Sequence, residues 1–324
     1  MLSLLRWVAG VAALMVAGMA AAQSWPVKPV RVIVPWGPGG GTDIVARALT
    51  PGLSENTGQQ FIIDNRGGAN GIIGTDLAAR APGDGYTIML NTLSAFVLNT
   101  SYYPKLPYNP DRDFAPVTLI GQVPLLMLVH PSFPARTAQN VINVARSRPG
   151  RVQYASFATA SPSHFSGEIL NVMLGIKLVH IPYKGGAAAI TALVSGEVPL
   201  HFGGVSVALP HVQAGKVRAL AVTGAQRTQR LPELPTVAEA LKLKDFDVSV
   251  TFGVLVPAST PKEIAQRLHD EIGKVVRSPA YKTRLDALGT DLAPLLTPNE
   301  LGQWLKKETA RWADIVQKTG VRAD

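Results

Sequence analysis

Three consecutive glycines, Gly39, Gly40 and Gly41, stand directly before Thr42 and Asp43. A backbone without Cβ atoms lets an object touch its amides. The β-branched run at 30–34 precedes the glycines and an apolar-periodic segment follows Thr42, so they lie where a strand ends and a helix begins. First-turn amides of a helix are unpaired and carry about half a positive charge, which suits a small anion. Two phosphate-binding turns are excluded by residue type. Gly41 is not followed by Lys-Ser/Thr, as a P-loop requires, and Thr42 stands where the third glycine of G-x-G-x-x-G belongs. An ordinary tight turn is the alternative, but three glycines in a row exceed what a turn needs and favour a binding turn.

A second stretch offers similar chemistry. In Ser161-Pro162-Ser163-His164, Ser161 suits an N-cap and Pro162 the first helical position, which places Ser163 and His164 beside unpaired amides. Phe165, Ile169 and Met173 follow at spacings of four, the mark of a buried helix face. Taken alone, this segment fits a plain cap and a packed histidine better than a site. A hydrolytic alternative arises at Gly204-Val205-Ser206-Val207-Ala208, which approaches a G-x-S-x-G elbow with His211 close by. The last glycine is missing, and no clear strand–elbow–helix follows Phe202. The six histidines show neither His-Glu-x-x-His nor a second histidine three or four residues away, so no metal is expected, and no organic cofactor.

Strands alternate with helices along most of the chain, which predicts α/β layers. Strands are expected at 61–64, 86–90, 117–120, 125–129, 152–156, 179–182 and 219–223, with an extended segment at 248–257. The strand at 86–90 ends in Asn91 and Thr92, with Ser94 close behind, so several strand ends lead into small or polar loops, and open α/β sheets bind ligands at such ends. Pro51 predicts that the first helix ends or kinks near Thr50. Thr260-Pro261-Lys262-Glu263 and Thr297-Pro298-Asn299-Glu300 both match a capping box with proline at the first helical position.

Composition bounds the function. Arg6, the apolar stretch 7–19 and Ala20-Ala21-Ala22 read as a signal peptide over residues 1–22, cleaved after Ala22. That implies export to the periplasm. About 300 mature residues suit two domains. The absence of cysteine excludes disulfides, a thiol nucleophile and a lipid-modified N-terminal cysteine. The net charge of +9 is scattered rather than clustered with aromatics, so nucleic acid is not an expected partner. It reads either as mild steering toward anionic ligands or as a solvated surface.

An ordered set of motifs resembles one family. It runs through Trp25-Pro26 with Lys28-Pro29, the turn at 35–43, Asn65-Arg66 with its glycines, Asp84-Gly85-Tyr86, Tyr103-Pro104-Lys105-Leu106-Pro107-Tyr108 and Asp113-Phe114-Ala115-Pro116-Val117. It continues through Ser161-Pro162-Ser163-His164, Pro182-Tyr183-Lys184-Gly185, Ala219-Leu220-Ala221-Val222-Thr223 and Pro235-Thr236-Val237-Ala238-Glu239-Ala240. Together they resemble the substrate-binding proteins of tripartite tricarboxylate transporters, the Bug family. The resemblance implies an α/β, two-lobed periplasmic binding protein of the type II-like, Venus-flytrap kind, each lobe a sheet flanked by helices. It implies a monomer that closes on a small carboxylate and delivers it to the integral membrane permease of a tripartite transporter. A ligand-dependent periplasmic sensor partner is the alternative.

The resemblance also implies the walls of the site. One is the turn with Trp36, Gly39, Gly40, Gly41, Thr42 and Asp43, joined by Asn70, Thr92 and Ser94. The other is Ser161, Ser163 and His164, joined by Gly203 and Gly204. Trp36 stands where Phe or Tyr is usual, Ala158 and Ala160 where glycines are common, and Gly203-Gly204 where Asp-Asn is frequent. The last departure argues against an ammonium-bearing ligand and leaves room for a bulkier or more anionic distal end. The expected lobes are 23–123 with 246–324, and 124–245, with crossings near 121–124 and 244–250.

Overall fold

The computed structural model describes residues 25–287 and 289–321. The expected signal peptide and its cut after Ala22 lie outside them. Strand β1 (Val30–Val34) is buried along nearly its whole length, as an inner strand of a parallel sheet must be. It pairs in parallel with β2 (Phe61–Asn65) and with β3 (Thr87–Thr92). Between them lie helix α1 (Gly41–Thr57), a 3-10 turn at Ala69–Gly71 and α2 (Ile72–Ala79). Helix α3 (Leu93–Tyr102) follows β3 without a loop, and α4 (Pro110–Asp113) is one short turn.

Strand β4 (Phe114–Val129) organises the rest. The sequence predicts two strands here, parted by Gly121 and Pro124, and the structure has one. Gly121 sits at a register shift, and Pro124 falls where β4 changes partners. A proline there removes no ladder bond that both sheets need. Up to Pro124, β4 runs antiparallel to β9 (Ser249–Pro257), which continues to β3. From Leu125 onward it runs antiparallel to β7 (Leu200–Gly204) and β8 (Arg218–Val222). β7 leads in parallel to β5 (Val152–Ser156) and then β6 (Leu178–Pro182). The strand order is β2-β1-β3-β9-β4-β7-β5-β6, with β8 also on β4. Two groups of strands thus share one long strand, and the chain returns from the second group through Thr223 and Val248. The Thr223 hydroxyl donates to the Val248 carbonyl and accepts from the Leu125 amide at 2.9 Å, tying both crossings together.

The second group carries α5 (Ala138–Ser147), α6 (Pro162–Leu174), α7 (Gly186–Val194), α8 (Val205–Gln213) and α9 (Val237–Leu241). Helices α10 (Lys262–Val276), α11 (Pro279–Ala287) and α12 (Pro298–Thr319) complete the fold. Trp312 of α12 is fully buried and meets Phe165 of α6 edge to face at 5.7 Å, while Phe165 meets Tyr102 of α3 at 6.3 Å. No helix among the described residues is long and apolar enough to cross a membrane.

Three local expectations change. Helix α1 does not stop at Thr50 but continues to Thr57 with Pro51 inside it. A Cβ on Gly52 would lie 2.8 Å from Val275, so α10 is pressed against this turn, and Arg284 donates to the Ala48 carbonyl beside it. Tertiary packing outweighs the proline's lost bond. At the second capping motif, Thr297 forms the full box with Glu300. At the first, Pro261 is itself the N-cap and no side-chain cap forms. The expected loop after β3 is instead the start of α3.

Candidate functional site

Each lobe brings two strand ends and two helix starts together. In the first, β1 leads through the glycine turn to α1, and β3 leads directly to α3. Gly40 is the N-cap of α1 and Thr92 that of α3, and neither helix has a side-chain cap. The starts touch: Thr42 Oγ1 and Thr92 Oγ1 are 2.8 Å apart. In the second lobe, β5 leads to α6, whose N-cap Ser161 accepts from the His164 amide, and β7 leads to α8, with Gly204 as an N-cap offering no side chain. Ser163 Oγ donates to the Phe202 carbonyl at the end of β7, joining these two starts. The sequence signals for the α3 and α8 starts were weak because Thr92-Leu93 and Gly204-Val205 lack the polar loop that usually announces a helix. The segment after Phe202 is in fact a strand entering a helix, with Ser206 in its first turn.

The first wall is rigid for reasons visible in its partners. Gly39 has φ +76° and its amide donates to Asp43 Oδ2 at 2.9 Å, so the α1 carboxylate reaches back to the turn. Asp43 also accepts from Arg47 Nε at 2.9 Å and from Asn65 Nδ2 at 3.1 Å. Burial raises its pKa, and the bonds from Arg47, Gly39 and Asn65 outweigh that and hold it below the usual value. The Asp43 charge is therefore consumed within the wall. Trp36 Nε1 donates to Asn91 Oδ1 at 2.9 Å, and Ser94 Oγ accepts from the Thr251 amide. A Cβ on Gly67 would lie 2.9 Å from the Gly37 amide nitrogen and 3.2 Å from the Trp36 carbonyl carbon, so the glycine-bearing loop after Asn65-Arg66 packs onto the turn at 35–43.

The second wall rests on a buried polar cluster that sequence reading missed, because its members are far apart in the chain. The His164 and His180 rings stack at 3.7 Å and 18°. His164 Nδ1 accepts from the Ala160 amide, which assigns the hydrogen to Nε2. The Ser156 hydroxyl donates to the Ala158 carbonyl, so it accepts from His180 Nε2 at 2.6 Å. Tyr154 Oη lies 2.9 Å from the His164 carbonyl and 2.6 Å from Glu168 Oε1. Burial and the neighbouring His180 lower His164 to about 3, and burial lowers His180 to about 4. Both rings are neutral near pH 7, so any anion here meets helix starts and hydroxyls rather than imidazolium.

Gly203 and Gly204 differ in what surrounds them. A Cβ on Gly203 would lie 2.5 Å from His201 Nε2, so the His201 ring already fills that space; only Gly204 looks onto open room. The walls meet at two places. Trp36 meets Phe157 edge to face at 6.3 Å, and Asn70 Nδ2 donates to the Ala160 carbonyl at 2.7 Å. Among the described residues no three or more His, Asp or Glu side chains converge as a metal site.

Known proteins resemble this chain in sequence and in fold. The family model described as "Tripartite tricarboxylate transporter family receptor" matches residues 45–321. BugT of Bordetella pertussis is 34% identical over 311 residues, covering 94% of each chain. The solved structure of Rpa4515 of R. palustris with adipate has a TM-score of 0.87 and 34% identity, over 92% of this chain and all but 1% of that one, which is covered to 99%. MatC from Rhodopseudomonas palustris, solved with bound malate, has a TM-score of 0.84 and 32% identity, over 90% of this chain and 100% of that one. The two-lobed α/β architecture is that of solved periplasmic binding proteins, and binding rather than catalysis is what such proteins do. With the family model matched over residues 45–321 and BugT 34% identical over 94% of each chain, the chain belongs to the family of tripartite tricarboxylate transporter receptors.

Proposed function

We propose that this protein captures a small carboxylate between its lobes in the periplasm, after cleavage near Ala22, and delivers it to the permease of a tripartite transporter. The lobes of this reading are 23–123 with 246–324, and 124–245. The change of partners along β4 at Pro124 and Leu125 supports that division. One observation carries the ligand class: helix starts meet in each wall, at Thr42 with Thr92 and at Ser163 with Phe202, and Asp43 is already neutralised by Arg47. Hydrogen bonds to an ionised carboxylate contribute about 1.5–3 kcal/mol each, and the helix dipoles favour the same charge. A handful suffices for micromolar affinity, about 8 kcal/mol, after the costs of association. Adipate and malate in the two solved relatives point to aliphatic dicarboxylates as the first ligands to try.

Isothermal titration of the mature protein with malate, adipate and their amides tests the reading. The acids are expected to bind at micromolar concentrations and the amides at least ten-fold more weakly. Gly40→Val, whose Cβ would sit 3.3 Å from the Gly37 carbonyl and obstruct approach to the turn, is expected to weaken the acids. Equal affinity for acid and amide would show that the helix starts do not hold a carboxylate.

A further inference from the structure

Asn70 carries a polar atom that nothing in the chain satisfies. Its side-chain oxygen is buried and has no hydrogen-bond partner, while the residue as a whole is 8% exposed. No other residue of the two walls has a buried side-chain polar atom in that condition. The orientation of the amide is settled by its neighbours. Nδ2 lies 2.7 Å from the Ala160 carbonyl and 2.7 Å from Asn99 Oδ1. A carbonyl only accepts, so the nitrogen must face Ala160, and turning the amide over would set its oxygen against that carbonyl. Oδ1 hangs on the same carbon as Nδ2, by bonds of about 1.2–1.3 Å. It therefore lies in the junction where the first lobe meets the N-terminus of α6. Asn70 is also held with φ 50° and ψ 38°, and Ala160 opposite it has φ 56°, so both partners keep left-handed backbones to make this contact.

A buried acceptor left unpaired costs more than a made bond returns. A carboxylate cannot supply what is missing, because an ionised carboxyl offers acceptors only. The missing partner is a donor, and the donors that a small carboxylic acid commonly carries are an ammonium or a hydroxyl. An ammonium would need negative charge, yet the wall carboxylate Asp43 is held by Arg47, Gly39 and Asn65, and uncapped helix starts surround the site. Their partial positive charge repels a cation. A neutral hydroxyl fits both requirements. We infer that Asn70 Oδ1 accepts from a hydroxyl of the ligand, so that the site selects hydroxycarboxylates over the same acids without the hydroxyl. This rests on the carboxylate reading above and narrows it.

The test uses matched pairs that differ by one hydroxyl: malate with succinate, 3-hydroxybutyrate with butyrate, and mandelate with phenylacetate. Titration of the wild-type mature protein at neutral pH is expected to show, in every pair that binds, the hydroxy acid at least ten-fold tighter. Asn70→Asp keeps an acceptor and loses the donor to Ala160; it should bind more weakly but retain the preference. Asn70→Ala should bind more weakly and lose it. Because the readout is a ratio within each variant, loss of the contact to Ala160 cancels. If Asn70→Ala does not fold, the wild-type and Asn70→Asp ratios decide. Equal affinity within the pairs, or a preference that survives in Asn70→Ala, overturns the inference and leaves the carboxylate reading standing. Failure of every acid, adipate included, overturns both.

Discussion

His164, His180 and His201 show how a polar residue becomes part of a wall rather than a ligand-facing charge. His201 Nδ1 faces the Ala155 carbonyl at 2.9 Å, and burial lowers its pKa to about 4 despite that bond. All three rings stay neutral in the folded protein well below the unfolded value of about 6.5. Between those values the unfolded chain binds protons that the native state refuses. Stability is therefore complete above about pH 6.5 and falls as pH drops toward 4, by up to about 1.4 kcal/mol per pH unit for each ring. Calorimetry is expected to show the melting temperature falling between pH 7 and 4.5, with a shallower slope in His180→Gln. A flat profile would mean that these rings are not held neutral.

Helix starts decide more at the next scale than any single side chain. The sequences Thr260-Pro261-Lys262-Glu263 and Thr297-Pro298-Asn299-Glu300 look equivalent, yet only the second caps its helix. Thr297 Oγ1 accepts from the Glu300 amide at 3.3 Å, and Glu300 Oε2 accepts from the Thr297 amide at 2.8 Å. Thr260 Oγ1 is buried with no partner. Thr297→Ala should therefore cost about 1 kcal/mol, whereas Thr260→Val, which removes an unsatisfied hydroxyl, should be neutral or stabilising. Urea denaturation of the two variants reads the difference directly. On the reading proposed above, the starts at Gly40, Thr92 and Gly204, which lack a side-chain cap, keep first-turn amides for a ligand.

For the whole molecule, the important feature is that two groups of strands hang on β4 and on the return through Thr223 and Val248. Thr223 binds both crossings, and a Cβ on Gly224 would press on Pro124 at 3.1 Å and Ser249 at 3.2 Å, so the joint is narrow and tightly packed. If each wall supplies only part of the anion site, as proposed above, the ligand favours the closed form. Small-angle scattering should show a smaller radius of gyration on adding a tight-binding hydroxycarboxylate and no change with its amide. An unchanged radius with a bound acid would mean that the lobes do not close on it.

Much was legible in the chain itself. The β-branched run before Gly39–Gly41, the cap at Ser161-Pro162 and the alternation of strands and helices depend on local preference, and local preference survives folding at these places. The ordered motifs located the family for the same reason, since they mark turns and caps whose geometry only certain residues allow. Elsewhere tertiary packing overruled local signals. Pro51 stays inside α1 because α10 packs against the neighbouring Gly52 and holds that turn, and Gly121 and Pro124 interrupt nothing because β4 shifts register at one and changes partner at the other. Thr260 fails to cap although its motif is right. The stacked His164 and His180, the His201 ring against the Ala155 carbonyl, and the Asn70 amide on the Ala160 carbonyl join residues distant in the chain. Such contacts are decided by which surfaces the fold brings within a few ångströms, and spacing along the sequence does not encode that.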